Sequence, residues 1–133
     1  MLTLTNTSPN IAKPAEAVFE KISRFTNFQG LMPEQVERFE ATDDTCILGV
    51  KGLPPLHLKM AERIAPEKVL VTTEGKNPVS FELLVQVQVV DASNSTITFT
   101  FSSDLNPMMK MMLEKPLSYL VKQMAERAPA LFV

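Results

Sequence analysis

The side chains in this chain that could move a proton or attack a substrate are few and far apart. Glu62 is in phase with the alternating apolar residues around it, which would place its carboxylate on the inner face of a strand. A carboxylate in that position would find a charged partner, keep a raised pKa or face water in a cavity. A bulge near Glu62 and Arg63 would instead turn it outward, and this alternative is favoured because lone buried carboxylates are rare. Glu62 nevertheless stays a candidate for the polar end of a ligand site.

The single histidine and the single cysteine add little chemistry. His57 alternates out of phase with Leu56 and Leu58, so it should face solvent, and no nucleophile or orienting group stands near it in the sequence. Cys46 lies in a strand-like segment and is expected to be a small core side chain. There is no Cys/His cluster with metal-ligand spacing and no glycine-rich phosphate loop, so the sequence predicts neither a metal nor another cofactor.

Composition limits the classes of protein to consider. A length of 133 residues predicts a single domain, residues 1–133. The net charge of −2 provides no basic surface for nucleic acid, and no apolar run approaches the ~18 residues of a membrane helix. One cysteine cannot form an intramolecular disulfide, which fits a reducing compartment. These features predict a cytoplasmic protein without membrane insertion.

The C-terminal stretch, residues 106–128, has the pattern of a long amphipathic helix. Asn106 suits the N-cap, and Pro107 suits the first helical position. Pro116 lies within the pattern and predicts a bend, unless it begins a second helix. The apolar face at helical spacing comprises Met109, Leu113, Pro116, Leu117, Leu120 and Met124.

The N-terminal third alternates and then becomes helical. Residues 1–11 predict a strand, and Pro14 opens a helix, which a short turn carrying Phe28 and Leu31 follows. The apolar face of the helix comprises Ala15, Val18, Phe19, Ile22 and Phe25.

From Val36 onward the pattern is that of strands joined by short turns. Glycine and proline mark the connections at 52–55 and 75–78. Alternation in successive strands indicates an antiparallel meander with one polar face, and we expect the C-terminal helix to cover the apolar face. The predicted strands are 36–42, 45–50, 56–64, 69–74, 79–90 and 96–103, and the inner face of the last two comprises Val79, Phe81, Leu83, Val85, Val87, Val89, Ile97, Phe99 and Phe101.

This order of elements resembles the helix-grip fold of the START/SRPBCC superfamily, which includes polyketide cyclases and birch-pollen-allergen-like proteins. The best local matches are residues 14–19 with 25–33 after them, and residues 106–112 with 115–117, which look like small bacterial members of unassigned function. The resemblance implies an α+β fold in which six or seven antiparallel strands wrap around the C-terminal helix. It also implies a cavity between sheet and helix that holds lipids or other hydrophobic molecules in many relatives.

The predicted function is therefore the binding of a hydrophobic small molecule or lipid, without chemistry. An enzyme of cyclase, dehydratase or hydrolase type is the first alternative, with Glu62 and Arg38, Arg63 or Tyr119 as its polar groups. The second is an interaction module or homodimer that uses the sheet edge or Met108 and Met111, which point off the main helix face. The predicted ligand-binding residues are Met109, Met112, Leu113, Leu117, Leu120, Met124, Leu83, Val85, Val87, Phe99, Phe101 and Glu62.

Overall fold

The described part of the chain folds as one antiparallel sheet with helices on one face. The computed structural model describes residues 2–34, 36–50, 55–74 and 80–132. Within these ranges the sheet has seven strands in the order β1-β7-β6-β5-β4-β3-β2. The strands are β1 (Leu2–Thr7), β2 (Val36–Ala41), β3 (Thr45–Val50), β4 (Leu56–Ile64), β5 (Lys68–Thr73), β6 (Phe81–Asp91) and β7 (Asn94–Ser103).

The helices occupy the positions that the sequence predicts. Helix α1 (Ala15–Ile22) follows β1 and leads into a first 3-10 helix, Phe25–Leu31. Helix α2 (Pro107–Arg127) follows β7 and continues as a terminal 3-10 helix, Ala128–Phe132. The predicted α+β helix-grip arrangement is confirmed, including the short helix pair after the first strand. The predicted turn at 75–78, Val79 of the predicted strand 79–90, and the connection at 52–55 apart from Pro55 lie outside the described residues.

Alternation decides which face of the sheet is buried. In β6, Phe81, Leu83, Val85 and Val87 are buried, as predicted. Val89 was expected on the same face, and the structure corrects this because its side chain is 68% exposed where the pairing register shifts near the hairpin. In β7, Ile97, Phe99 and Phe101 are buried.

Two helices share the cover of this apolar face. Helix α2 packs against β1, β7 and the first 3-10 helix, while α1 packs against β6 and β7. The expectation that α2 alone covers the sheet is therefore incomplete, since part of the longest two strands lies under α1. The buried residues of α1 are Ala15, Val18 and Ile22, which repeat at helical spacing.

Helix α2 begins where the sequence predicts. The Asn106 side chain accepts a hydrogen bond from the backbone N–H of Met109 at 2.8 Å, which satisfies one of the free donors of the first turn. The helix is continuous through Pro116, so the alternative of a second helix starting there is wrong. Its buried residues are Leu113, Leu117, Leu120, Val121, Met124 and Ala125.

Candidate functional site

A cavity of about 40 Å³ lies between the inner face of the sheet, helix α2 and the first 3-10 helix. Strands β2 to β7 all contribute to its wall, because the sheet curls around the helix. The described lining residues are Phe25, Phe28, Met32, Phe39, Cys46, Leu48, Leu56, Leu58, Val71, Phe81, Leu83, Phe101, Leu117, Leu120, Val121 and Met124.

The wall of the cavity is apolar throughout the described residues. None of their nitrogen or oxygen atoms forms part of it, so a ligand would find no hydrogen-bonding group there. Two ring pairs reinforce the wall: Phe25 and Phe28 meet edge to face with centroids 5.4 Å apart, and Phe81 and Phe101 lie 4.9 Å apart. Such a wall favours apolar contents and opposes charged ones.

One edge of the cavity lies close to solvent. Met32, just after the first 3-10 helix, and Phe39, on β2, are half-buried, whereas every other described lining side chain is buried. Methionine has three rotatable bonds and adapts to an irregular neighbour. Met32 is therefore well placed to move when the cavity changes its contents.

Cys46 is the only described lining side chain with a titratable group. It is 4% exposed, and burial raises the pKa of its thiol to about 12. The neutral thiol is the form present at physiological pH, and the thiolate is the nucleophilic form. Cys46 therefore serves as a small core side chain, as the sequence predicts.

Five of the predicted ligand-binding residues line this cavity, namely Leu83, Phe101, Leu117, Leu120 and Met124. The rest of the predicted set belongs to the core or the surface. Val85, Val87, Phe99 and Leu113 are buried away from the cavity wall, and Met109 is half-buried against the core.

Two predicted positions are corrected by the structure. Met112 is 64% exposed because it lies on the outer face of α2, on the same side as Met108 and Tyr119. Glu62 is exposed because the pairing of β4 with β5 shifts by one residue between Met60 and Glu62. The bulge that the sequence analysis favoured is thus present, and it turns the carboxylate away from the cavity.

The polar set suggested for enzyme chemistry does not assemble at the cavity. Arg38 pairs with Glu40 on the surface, and Tyr119 is 53% exposed. Arg63 donates hydrogen bonds to the backbone oxygens of Ser23 at 2.7 Å and Asp43 at 3.0 Å. His57 is exposed, as predicted.

Apart from Val121 on α2, the lining residues missing from the predicted set come from the elements facing that helix. Their inward positions were readable from the alternation in β3 and β4, and from the helical spacing of the two phenylalanines. What the sequence did not supply was the curvature that brings those elements around the helix. The missed lining residues are Phe25, Phe28, Met32, Phe39, Cys46, Leu48, Leu56, Leu58, Val71, Phe81 and Val121.

Solved structures share this arrangement at low sequence identity. A START superfamily protein from Mycobacterium smegmatis matches with a TM-score of 0.67 and 13% identity, over 97% of this chain and 98% of that chain. The chain has a START/SRPBCC-like fold. Norcoclaurine synthase from Thalictrum flavum, solved with dopamine and hydroxybenzaldehyde, has the same fold with a TM-score of 0.65 and 14% identity, over 93% of this chain and 85% of that chain.

A protein from Thermobifida fusca, solved by solution NMR, also shares the fold, with a TM-score of 0.69 and 19% identity over 98% of this chain and 95% of that chain. No protein-family model and no curated protein sequence matches the chain. Across the described residues, no helix is long and apolar enough to cross a membrane. The described residues also hold no cluster of acidic, histidine or cysteine side chains that could bind a metal ion.

Proposed function

We propose that this START-like protein binds a hydrophobic small molecule in the cavity under α2, without carrying out chemistry on it. The observation that supports the proposal is the wall itself, which is apolar, and buried except near Met32 and Phe39. The fold provides a precedent, since norcoclaurine synthase was solved with two small molecules bound. We place the protein in the cytoplasm, because its single cysteine is a free thiol.

The size of the cavity decides how binding would proceed. A volume of about 40 Å³ is well below the ~150 Å³ of an engineered apolar cavity that admits benzene. A ligand must therefore displace side chains of the wall, and the two lining methionines, Met32 and Met124, can change rotamer most readily. We infer that the cavity must widen when a ligand enters it.

Affinity is expected to be modest. A seven-carbon ligand gains on the order of 6 kcal/mol at ~0.8 kcal/mol per buried carbon. Association and the movement of the wall offset a share of this gain, which leaves a dissociation constant of roughly 1 mM for the simplest ligands. A natural ligand with better complementarity would bind more tightly.

The test combines native mass spectrometry of the purified protein with calorimetric titration of added toluene. We expect one bound hydrophobic molecule per chain, and Val71→Phe should abolish binding by filling the cavity from β5. Val89→Phe provides the matched control, because Val89 is 68% exposed and lies outside the wall. Absence of both co-purified and added ligand would contradict the proposal, as would equal loss of binding in the two variants.

A second candidate is self-association through the outer face of α2. Met108, Met111, Met112 and Tyr119 are 71%, 84%, 64% and 53% exposed, and they lie along one side of the helix. Two copies of this stripe packed together would bury on the order of 1,000 Å², the size at which specific interfaces begin. We propose that a second copy of this chain covers the stripe on α2.

Light scattering on the protein as it elutes from a size-exclusion column measures its molar mass and so tests the self-association. The expected result is a dimer that Met111→Glu converts to a monomer, because a carboxylate would be buried in the interface. Val90→Glu is the control, since Val90 is 58% exposed on β6, away from the stripe. A wild-type monomer at high concentration would remove this candidate.

A further inference from the structure

The cavity indicates which kind of molecule it accepts. We propose that the buried part of the ligand is a compact, uncharged molecule of about one ring that bears no hydrogen-bonding group. This inference rests on the proposed binding function and adds to it the chemical class of the ligand. It sets the site apart from one built for a fatty acid, a sterol hydroxyl or a phenol.

The absence of polar atoms in the described wall supports the first part of the proposal, that the buried part of the ligand bears no hydrogen-bonding group. A hydroxyl or carboxylate moved from water into this space would lose its hydrogen bonds to water and gain none from the described residues. A neutral Cys46 thiol is only a weak donor, so it does not replace them. Discrimination against a single hydroxyl should therefore be strong, although the hydroxyl adds little volume.

The aromatic side chains and the small volume of the cavity support the second part of the proposal, that the ligand is about one ring in size. Five phenylalanines line the cavity, and two pairs of them already adopt edge-to-face or tilted geometry. A further ring could join these contacts, and the sulfur atoms of Met32 and Met124 also favour aromatic ring edges. An extended alkyl chain would need a long channel, whereas the space present is about 40 Å³.

Limited movement of the wall could provide room for one ring. Met32 and Met124 lie on different elements, the segment after the first 3-10 helix and α2, and Met32 is half-buried. Because methionine has three rotatable bonds, a rotamer change at these two side chains would enlarge the space without requiring the backbone to move. Larger, fused-ring molecules would require the backbone or a bulkier wall residue to shift.

Calorimetric titration of the intact protein with toluene, phenol and benzoate tests the chemical class, because toluene and phenol are nearly isosteric. We expect toluene to bind at least tenfold more tightly than phenol, and benzoate to give no heat of binding. A toluene-to-phenol ratio below ten, or measurable binding of benzoate, would overturn the inference while leaving the proposed function intact. Failure of all three to bind, with no co-purified ligand, would instead overturn the proposed function.

The size limit is tested with naphthalene and two leucine variants of α2. Leu120 lines the cavity, whereas Leu113 is equally buried on the same helix but lies outside the wall. Leu120→Ala should raise the affinity for naphthalene relative to toluene at least tenfold, because it makes room for the second ring. Leu113→Ala should leave that ratio unchanged. An unchanged ratio in Leu120→Ala, or an equal rise in both variants, would overturn the size limit.

Discussion

At the scale of single residues, Cys46 links burial to the pH dependence of stability. The pKa of its thiol is 9.0 when unperturbed and about 12 in the folded chain, because burial disfavours the thiolate. The unfolded chain therefore loses this proton first as the pH rises. The buried neutral thiol contributes its full stabilisation below pH 9. Between pH 9 and pH 12 the free energy of unfolding falls by about 1.4 kcal/mol per pH unit, which is the slope for one proton.

Denaturant unfolding of the wild type and of Cys46→Ala between pH 7 and pH 11 measures this effect. We expect the free energy of unfolding of the wild type to fall more steeply above pH 9, by the slope of one proton. The two proteins differ only at residue 46, so the difference between the curves isolates the thiol. Parallel curves would mean that Cys46 is accessible to solvent in the folded state.

Glu62 marks the limit of prediction at this scale. Alternation counted from Leu56 places it inward, and alternation is reliable only while the register holds. One extra residue between Met60 and Glu62 reverses the face of everything after it. A bulge of this kind leaves no mark in the apolar pattern, so the only sequence signal that favoured it was the rarity of lone buried carboxylates.

At the scale of elements, Arg63 connects parts of the chain that are distant in sequence. From β4 it donates to the backbone oxygen of Ser23 after α1, to that of Asp43 between β2 and β3, and to Asp44 Oδ1 at 2.7 Å. Because its side chain is 35% exposed, solvent weakens these contacts, and Arg63→Ala should cost about 1–2 kcal/mol.

Chemical denaturation of Arg63→Ala and of Arg38→Ala measures how much each arginine contributes to the free energy of unfolding. Arg38 pairs only with Glu40 in the contacts described, and both side chains are more than half exposed. We expect Arg38→Ala to change the stability by less than ~0.5 kcal/mol, as is usual for exposed pairs. Equal costs for the two variants would contradict the connecting role of Arg63.

The elements themselves were largely predictable, whereas the walls of the cavity were not. The N-cap at Asn106 and the alternation of β6 are local signals, so helix α2 and the long strands follow from the sequence. The positions of Phe28 and Leu58 beside the cavity depend on how the sheet curls. Curvature is a tertiary property that the pattern does not contain, and for this reason Val87 and Phe99 were predicted to contact a ligand although neither lines the cavity.

At the scale of the whole molecule, the arrangement predicts a single cooperative unit. One sheet and one hydrophobic core include residues from β1 to the terminal 3-10 helix. We expect residues 1–133 to unfold in one calorimetric transition whose measured enthalpy equals the van't Hoff enthalpy. Saturating toluene should raise the midpoint without splitting the transition, because it binds the folded state. Two resolved transitions would show that the chain is more than one domain.

The fold was predictable as a whole because order, length and patterning agree along the chain. Function was predictable only as a class, since a START-like sheet and helix enclose many different sites. Which ligand this site would accept depends on which atoms face the cavity. Here they are carbon and sulfur atoms of side chains such as Phe81, Leu120 and Met124.

The most direct test is the NMR spectrum of the protein labelled with carbon-13 at its methionine methyl groups, recorded during titration with toluene. Met32 and Met124 line the cavity, whereas Met108 and Met111 are exposed on the outside of α2. We predict saturable shifts of the Met32 and Met124 signals at one ligand per chain, with the Met108 and Met111 signals unchanged. Shifts confined to Met108 and Met111, or no saturable shift at all, would contradict it.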